Sequence, residues 1–364
     1  VFLTASNLAP NLIARGLITA QSVVDGDFTI IEAGRRNRNF KVVREKAPGL
    51  FVKQVKSTAA DAISTWQREV AFYQLVASQP AFAAFSGIVP KLIDAHPSTY
   101  SLTVELLPGA ENLTEYHARV SDYPAPIGEM LGRGLGAYHS RASSIVSVAA
   151  AVPLFPRQLP WILNIGFPED PLPQFGAIGQ QFSGLLQQYP EILPRLMMVR
   201  QEWMIDSLIH GDMKWDNCLV FRREDDSEDV SVVDWELADL GDAAWDAGSI
   251  FASYLTYYLF TLPPSQSPEQ AQAEAQTRLA RLRPALAAFW GSYARTRGLQ
   301  SALAGQYLRK CVRFAAAKLI QVAFEYVINF QQVNANTGAL IYIARNIFQE
   351  SERAIQELTG GVQQ

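Results

Sequence analysis

Apolar and polar positions alternate in three early segments, DFTIIEA (27–33), NFKVVRE (39–45) and GLFVKQV (49–55). They are separated by GRRNR and KAPG, and period-two alternation bounded by such clusters predicts β-strands. Ahead of them, Ala5–Arg15 reads as a helix stopped by Gly16, and a three-to-four period from about Thr58 to Ser78 predicts a second helix. Two further strands are expected in VPKLIDA (89–95) and YSLTVELL (100–107), after which Pro108-Gly109 breaks the pattern. Beyond the break the periodicity is helical, as in IGEMLGRGLGAYHSRA (127–142), whose glycines are explained by close helix packing. Six prolines between Pro153 and Pro173 predict an irregular insert. CLVFRRE (218–224) and DVSVVDW (229–235) flank an acidic turn and read as a hairpin, and Ser267 is expected to cap a long helix. The reading is α+β: a β-rich lobe over 1–107 and a mostly helical lobe over 108–364.

Composition limits the options. The chain has 364 residues, 49% hydrophobic and 18% charged, which suits a globular protein with a large core. Two cysteines, Cys218 and Cys311, cannot build a disulfide framework, and the N-terminal segment lacks the pattern of a signal peptide. A cytoplasmic location is expected. The longest uncharged run, from Ala247, contains Ser, Thr and Tyr and ends at Pro263-Pro264, so a buried helix is expected there and no membrane span. The net charge is −4, with no basic stripe of the kind that binds nucleic acid.

Chemistry concentrates in LIHGDMKWDNCLV (208–220), a polar loop pinned by apolar ends. Asp212 and Asn217 stand five apart, and the hairpin segment 218–236 then delivers Asp234. A carboxylate that orients an attacking hydroxyl, and an Asn with a second carboxylate as oxygen ligands for Mg²⁺, are what phosphoryl transfer from a nucleotide requires. Lys214 stands two residues after Asp212.

The first lobe offers an independent pair. Alternation puts Phe51, Lys53 and Val55 on one strand face, and helical spacing surrounds Glu69 with Ala62, Trp66, Phe72, Tyr73 and Val76. Each charge sits on an apolar face where an unpaired ion is costly, so the two are expected to pair.

These motifs, His210-Gly211-Asp212, Asn217 and Asp234-Trp235-Glu236, resemble the aminoglycoside phosphotransferase and choline-kinase-like family of protein-kinase-like enzymes. The resemblance implies a two-lobed fold, ATP and Mg²⁺ as cofactors, and a small-molecule acceptor. It implies Asp212 as catalytic base, Lys214 as a charge that meets the transferring phosphate, Asn217 and Asp234 as metal ligands, and Asp246 as a brace for the loop. It also implies Lys53 and Glu69 at the nucleotide phosphates, Gly34 and Asn37 in the phosphate turn, and adenine against the backbone of Glu105–Leu107. Arg35, Arg36 and Arg38 could face phosphate, and His210 could brace its loop.

A protein kinase is the enzyme alternative, although only eleven residues separate Asp234 from Asp246 and no APE motif follows. A nucleotide-binding pseudokinase with a regulatory role is the other. From Pro263 onward the chain holds 11 Lys and Arg against 6 Glu and no Asp. Arg309, Lys310, Arg313 and Lys318 fall on one expected helix, either as a solvated face or as contacts to a neutral or anionic acceptor. No activity on polycationic aminoglycosides is expected.

Overall fold

The structure, a computed structural model, describes residues 2–34, 37–82, 87–263 and 267–361. Helix α1 (Ala5–Ala14) is capped by Thr4 and followed by the short α2 (Ala20–Val24), which the periodicity did not foretell. Strands β1 (Phe28–Glu32), β2 (Arg38–Arg44) and β3 (Leu50–Gln54) lead to helix α3 (Ala60–Ser78), then β4 (Leu92–His96) and β5 (Ser101–Glu105). The five strands form one antiparallel sheet in the order β1-β2-β3-β5-β4.

The alternation in β3 has the expected consequence. Leu50 and Val52 join Phe40, Val42 and the α1 residues Leu8 and Leu12 in a small core on the outer sheet face. Phe51, Lys53 and Val55 therefore look the other way, toward α3 and the main core, which continues into the helical lobe.

After Gly109, at φ 60°, come β6 (Glu111–Asn112), α4 (Leu113–Val120), α5 (Ala125–Ser144) and the single-turn α6 (Val146–Ala149). Helices α7 (Gly176–Gln187) and α8 (Ile192–Gln201) precede β7 (Ser207–Ile209) and the hairpin of β8 (Cys218–Arg222) and β9 (Glu228–Val232). Strand β10 (Asp239–Gly241) pairs with β7, and helices α9 (Ala243–Phe260), α10 (Pro268–Arg297), α11 (Ser301–Phe330), α12 (Ala335–Gln349) and α13 (Ser351–Thr359) complete the chain. Ser267 caps α10 by accepting from the Gln270 N–H at 3.2 Å.

The glycines of α5 are packing devices. A Cβ on Gly132 would lie 2.1 Å from the Phe289 carbonyl oxygen, and one on Gly136 would lie 2.6 Å from that of Tyr293, so α5 and α10 meet backbone to backbone. The proline-rich insert is irregular apart from short 3₁₀ turns. It is pinned to β10: the Arg157 and Gln158 amides donate to the Asp239 carboxylate, both at 2.8 Å. Its Trp161 ring packs on Phe324 of α11, centroids 5.1 Å apart. No helix among the described residues is long and apolar enough to cross a membrane.

Candidate active site

The site is assembled at the junction of β3, α3, the loop after β7 and the hairpin. Lys53, on the inner face of β3, reaches Glu69 on α3 at 2.8 Å, and both are largely buried. The Lys53 ammonium also contacts Asp234 and lies 3.2 Å from Glu236. Burial would lower the Lys53 pKa, but Glu69, Asp234 and Glu236 outweigh it and hold the ammonium charged. Burial pushes Glu69 upward, against the pull of Lys53. The carboxylate oxygens of Glu69, Asp234 and Glu236 converge within 4.8 Å of one another, and the ammonium is bonded to all three.

The loop after β7 turns at Gly211, where φ is 79° and a Cβ would sit 2.6 Å from the Leu237 carbonyl oxygen. Only glycine combines that backbone conformation with that approach. Asp246, fully buried in α9, accepts from the His210 N–H at 2.7 Å and the Gly211 N–H at 3.1 Å. His139 donates to the same carboxylate at 3.3 Å, its own pKa lowered by burial, so it stays neutral. The His210 ring bridges the loop and the hairpin: Nε2 lies 3.0 Å from the Val233 carbonyl, and Nδ1 accepts from the Asp212 N–H. His210 is a brace, as one of its sequence readings allowed.

Asp212 emerges from this frame between two lysines. Lys214 lies 2.5 Å from Oδ2, and Lys318, reaching in from α11, lies 3.3 Å from Oδ1. Burial would raise the Asp212 pKa, but the two ammonium groups prevail and bring it down to about 2. Asn217 donates from Nδ2 to the Asp212 carbonyl at 3.0 Å, leaving its amide oxygen unused among the described residues. The Val233 N–H donates to the Asn217 carbonyl at 2.9 Å, which ties the loop to the residue before Asp234. Asp234 itself has φ 68°, a left-handed conformation at which non-glycine residues are uncommon and concentrate at functional sites.

The remaining expected residues are partly drawn in. Asn37 donates to Glu236 at 3.4 Å, and a Cβ on Gly34 would approach the Asn37 carbonyl to 3.3 Å. Arg35 and Arg36 lie outside the described residues. Arg38 points away from the site, donating to the Leu3 carbonyl and covering the Phe2 ring. At the lobe junction the Glu105 N–H donates to Lys91 and the Leu106 N–H to Gly49. Among the described residues the Leu107 N–H has no hydrogen-bond partner.

A model of the phosphotransferase enzyme family matches residues 27–289. The chain belongs to that family. It is similar to the solved structure of a choline/ethanolamine kinase family protein from Mesorhizobium loti, at 14% identity over 98% of each chain with a TM-score of 0.51. It is also similar to a GDP complex of a mutant aminoglycoside 2′-phosphotransferase-IIIa, at 12% identity over 97% of this chain and 98% of that one, with a TM-score of 0.52. Identities this low show the fold, which is the two-lobed kinase-like α+β fold expected from the motifs. No curated protein matches the sequence.

Two residues of this candidate site were not legible in the sequence. Glu236 was quoted in the motif but given no role, although it stands two positions after Asp234 and shares its lysine. Lys318 shares α11 with Arg309, Lys310 and Arg313 as expected, but the alternative of a solvated face is corrected by the structure. Lys310 pairs with the buried Asp242, Arg313 with Glu202 at 2.8 Å and Arg309 with Glu352. The positive charge of α11 is thus mostly consumed by carboxylates of the same chain. A usable signal was present: Lys318 interrupts the apolar run FAAAKLIQVAF, as Lys53 interrupts its strand.

Proposed function

We propose that this family member transfers the γ-phosphoryl group of ATP to a hydroxyl of a small molecule, with Mg²⁺ as cofactor. The observation that carries the reading is the convergence on Lys53 of Glu69 from the first lobe and Asp234 from the hairpin, with Asp212 and Asn217 on the adjoining loop. Phosphoryl transfer depends on positioning and charge stabilisation, which such an assembly provides. We place the boundary between the lobes at Leu107/Pro108.

Asn217 and Asp234 are the residues that would hold Mg²⁺. Their donor set is an amide oxygen and a partly open carboxylate, which suits a hard cation. When bound, the ion supplies positive charge to the phosphate oxygens. Lys53 binds phosphate and is oriented by Glu69, Gly34 and Asn37 lie beside the phosphates, and the Leu107 amide meets adenine. The acceptor oxygen forms a bond to the γ-phosphorus as the bond to the β–γ bridging oxygen breaks and ADP leaves, while the hydroxyl proton passes to Asp212. With its pKa near 2, Asp212 is a weak base. Its main work is to orient the hydroxyl, with the proton transferred late. Lys214 neutralises charge on the moving phosphoryl group.

The acceptor is a small molecule other than a polycationic aminoglycoside, since the base is flanked by two ammonium groups. Only eleven residues lie between Asp234 and Asp246, filled by a 3₁₀ turn and β10, which disfavours a protein substrate. The test is ATP-dependent phosphorylation of a metabolite pool by the wild-type chain and by Asp212→Ala. Mg²⁺-dependent transfer is expected, with a loss of about 10²–10⁴-fold in the variant and retained ATP binding. ATP binding without turnover in any pool would make the chain a pseudokinase, and half-maximal activity in Asp212→Ala would remove Asp212 from the mechanism. Kanamycin should give kcat/KM well under about 10⁴ M⁻¹s⁻¹, the lower end for ordinary enzymes.

A further inference from the structure

Between Phe314 and Phe324, α11 is buried at every position except Val322, and Lys318 lies in the middle of that run at 3% exposure. Lys318, Gln321 and Glu325 follow at spacings of three and four, which puts them along one helix face. That face looks onto the catalytic loop: Lys318 meets Asp212 at 3.3 Å, and Glu325 acts electrostatically on Lys214. Gln321 donates to Glu325 at 2.9 Å, completing a polar stripe on an otherwise apolar helix.

An ammonium carries three N–H donors. Among the described residues Asp212 Oδ1 is the one hydrogen-bond acceptor of Lys318, and the nearby Trp245 ring, 6.0 Å from Nζ, offers only its π face. Leaving donors of a buried cation unmet is costly, and the shared carboxylate does not balance two lysines. The unmet donors therefore point to ligand oxygen. Lys318 approaches from the C-lobe, on the carboxylate oxygen opposite the one held by Lys214. Lys53 and Asp234, the groups assigned to the nucleotide, come from the sheet and the hairpin.

We propose that Lys318 is an acceptor-binding and positioning residue: one N–H holds Asp212 Oδ1, and the others bind an oxygen beside the reacting hydroxyl. The acceptor is then an oxygen-rich alcohol, neutral or anionic, such as a sugar or sugar acid. A hydroxyl beside an ammonium is rejected. This rests on the phosphotransfer reading above and adds to it the class of acceptor.

The test measures phosphate release from Mg·ATP, and transfer to sugar, with D-gluconate, D-glucose or D-glucosamine added to wild type, Lys318→Met and Lys318→Arg. A sugar in the acceptor site either takes the phosphoryl group or displaces water, so binding alters phosphate release in both cases. For wild type, gluconate should act at a concentration at least about tenfold below glucosamine. Lys318→Met should bring the two within about threefold, and Lys318→Arg should keep the order. The inference is overturned if glucosamine acts at an equal or lower concentration, if no sugar alters release, or if Lys318→Met leaves the ratio unchanged. It is also overturned by a loss in Lys318→Met that is uniform across sugars and water, which would assign the lysine to the transferring phosphoryl group. If Lys318→Met does not fold, the wild-type order and Lys318→Arg still decide. Absence of wild-type Mg·ATP turnover sinks the phosphotransfer reading and this inference together, whereas turnover with the wrong sugar order sinks the inference alone.

Discussion

Phe72 and Trp235 stack face to face, their ring centroids 4.0 Å apart and their planes within 8° of parallel. Phe72 lies one turn beyond Glu69 on α3, and Trp235 directly follows Asp234, so the stack fixes the helix of one carboxylate against the turn of the other. Both rings are fully buried, and the Trp235 indole N–H donates to the Val232 carbonyl at 2.9 Å.

Phe72→Ala should therefore affect ligand binding as well as stability. A buried Phe truncation costs about 3–5 kcal/mol wherever it occurs. Phe289→Ala, in the core between α9 and α10, is the matched control. Thermal melts should fall for both variants, while calorimetry should show weakened ATP binding for Phe72→Ala alone.

Lys53 and Glu69 should be energetically coupled, and unequally so. Removing the ammonium in Lys53→Met leaves Glu69, Asp234 and Glu236 facing one another, whereas Glu69→Gln leaves Lys53 two carboxylates. Breaking a buried pair from one side typically costs about 3–5 kcal/mol. Lys53→Met should be the more damaging variant, and the double mutant less damaging than the sum of the two. Strict additivity in the cycle on ATP affinity would count against the pairing.

Asp234→Asn should weaken Mg·ATP much more than metal-free ATP, because it removes a formal charge from the proposed metal ligands. The same change loosens Lys53, which Asp234 also holds. Titration with and without Mg²⁺ separates the two effects. Equal losses would leave only the contact to lysine.

Stability should fall on mild acidification through His117. Burial lowers its pKa to about 4, only partly offset by the hydrogen bond to the Asp122 carbonyl. The unfolded chain takes up that proton below about pH 6.5, while the folded chain cannot do so until about pH 4. The contribution is therefore present above pH 6.5 and lost as the pH falls toward 4, to the extent of about 3 kcal/mol. Denaturant midpoints across this range should fall less steeply for His117→Gln, which keeps a donor but does not titrate.

What the residues alone determined was local pattern and chemical necessity. Alternation placed β1 to β5, the three-to-four period placed α3 and α5, and the apolar setting of Lys53 and Glu69 required a partner for each, which the fold supplies at 2.8 Å. Asp212, Asn217 and Asp234 were readable as candidates because the chemistry proposed for them constrains residue type and spacing along one stretch of chain. The four-residue helix α6 and the capped α4 were not singled out, because segments that short depend on caps and neighbours more than on period. Only the tertiary structure decided which charges are spent on one another. Lys310, Arg313 and Lys318 share one helix, and even the apolar run around Lys318 does not name its partner, yet one meets Asp242, one Glu202 and one Asp212, across separations of 68 to 111 residues. No periodicity encodes such pairings. They follow from how α11 packs against α9 and the loop after β7, because side-chain partners across elements are set by the registry of packed surfaces and not by spacing within either one.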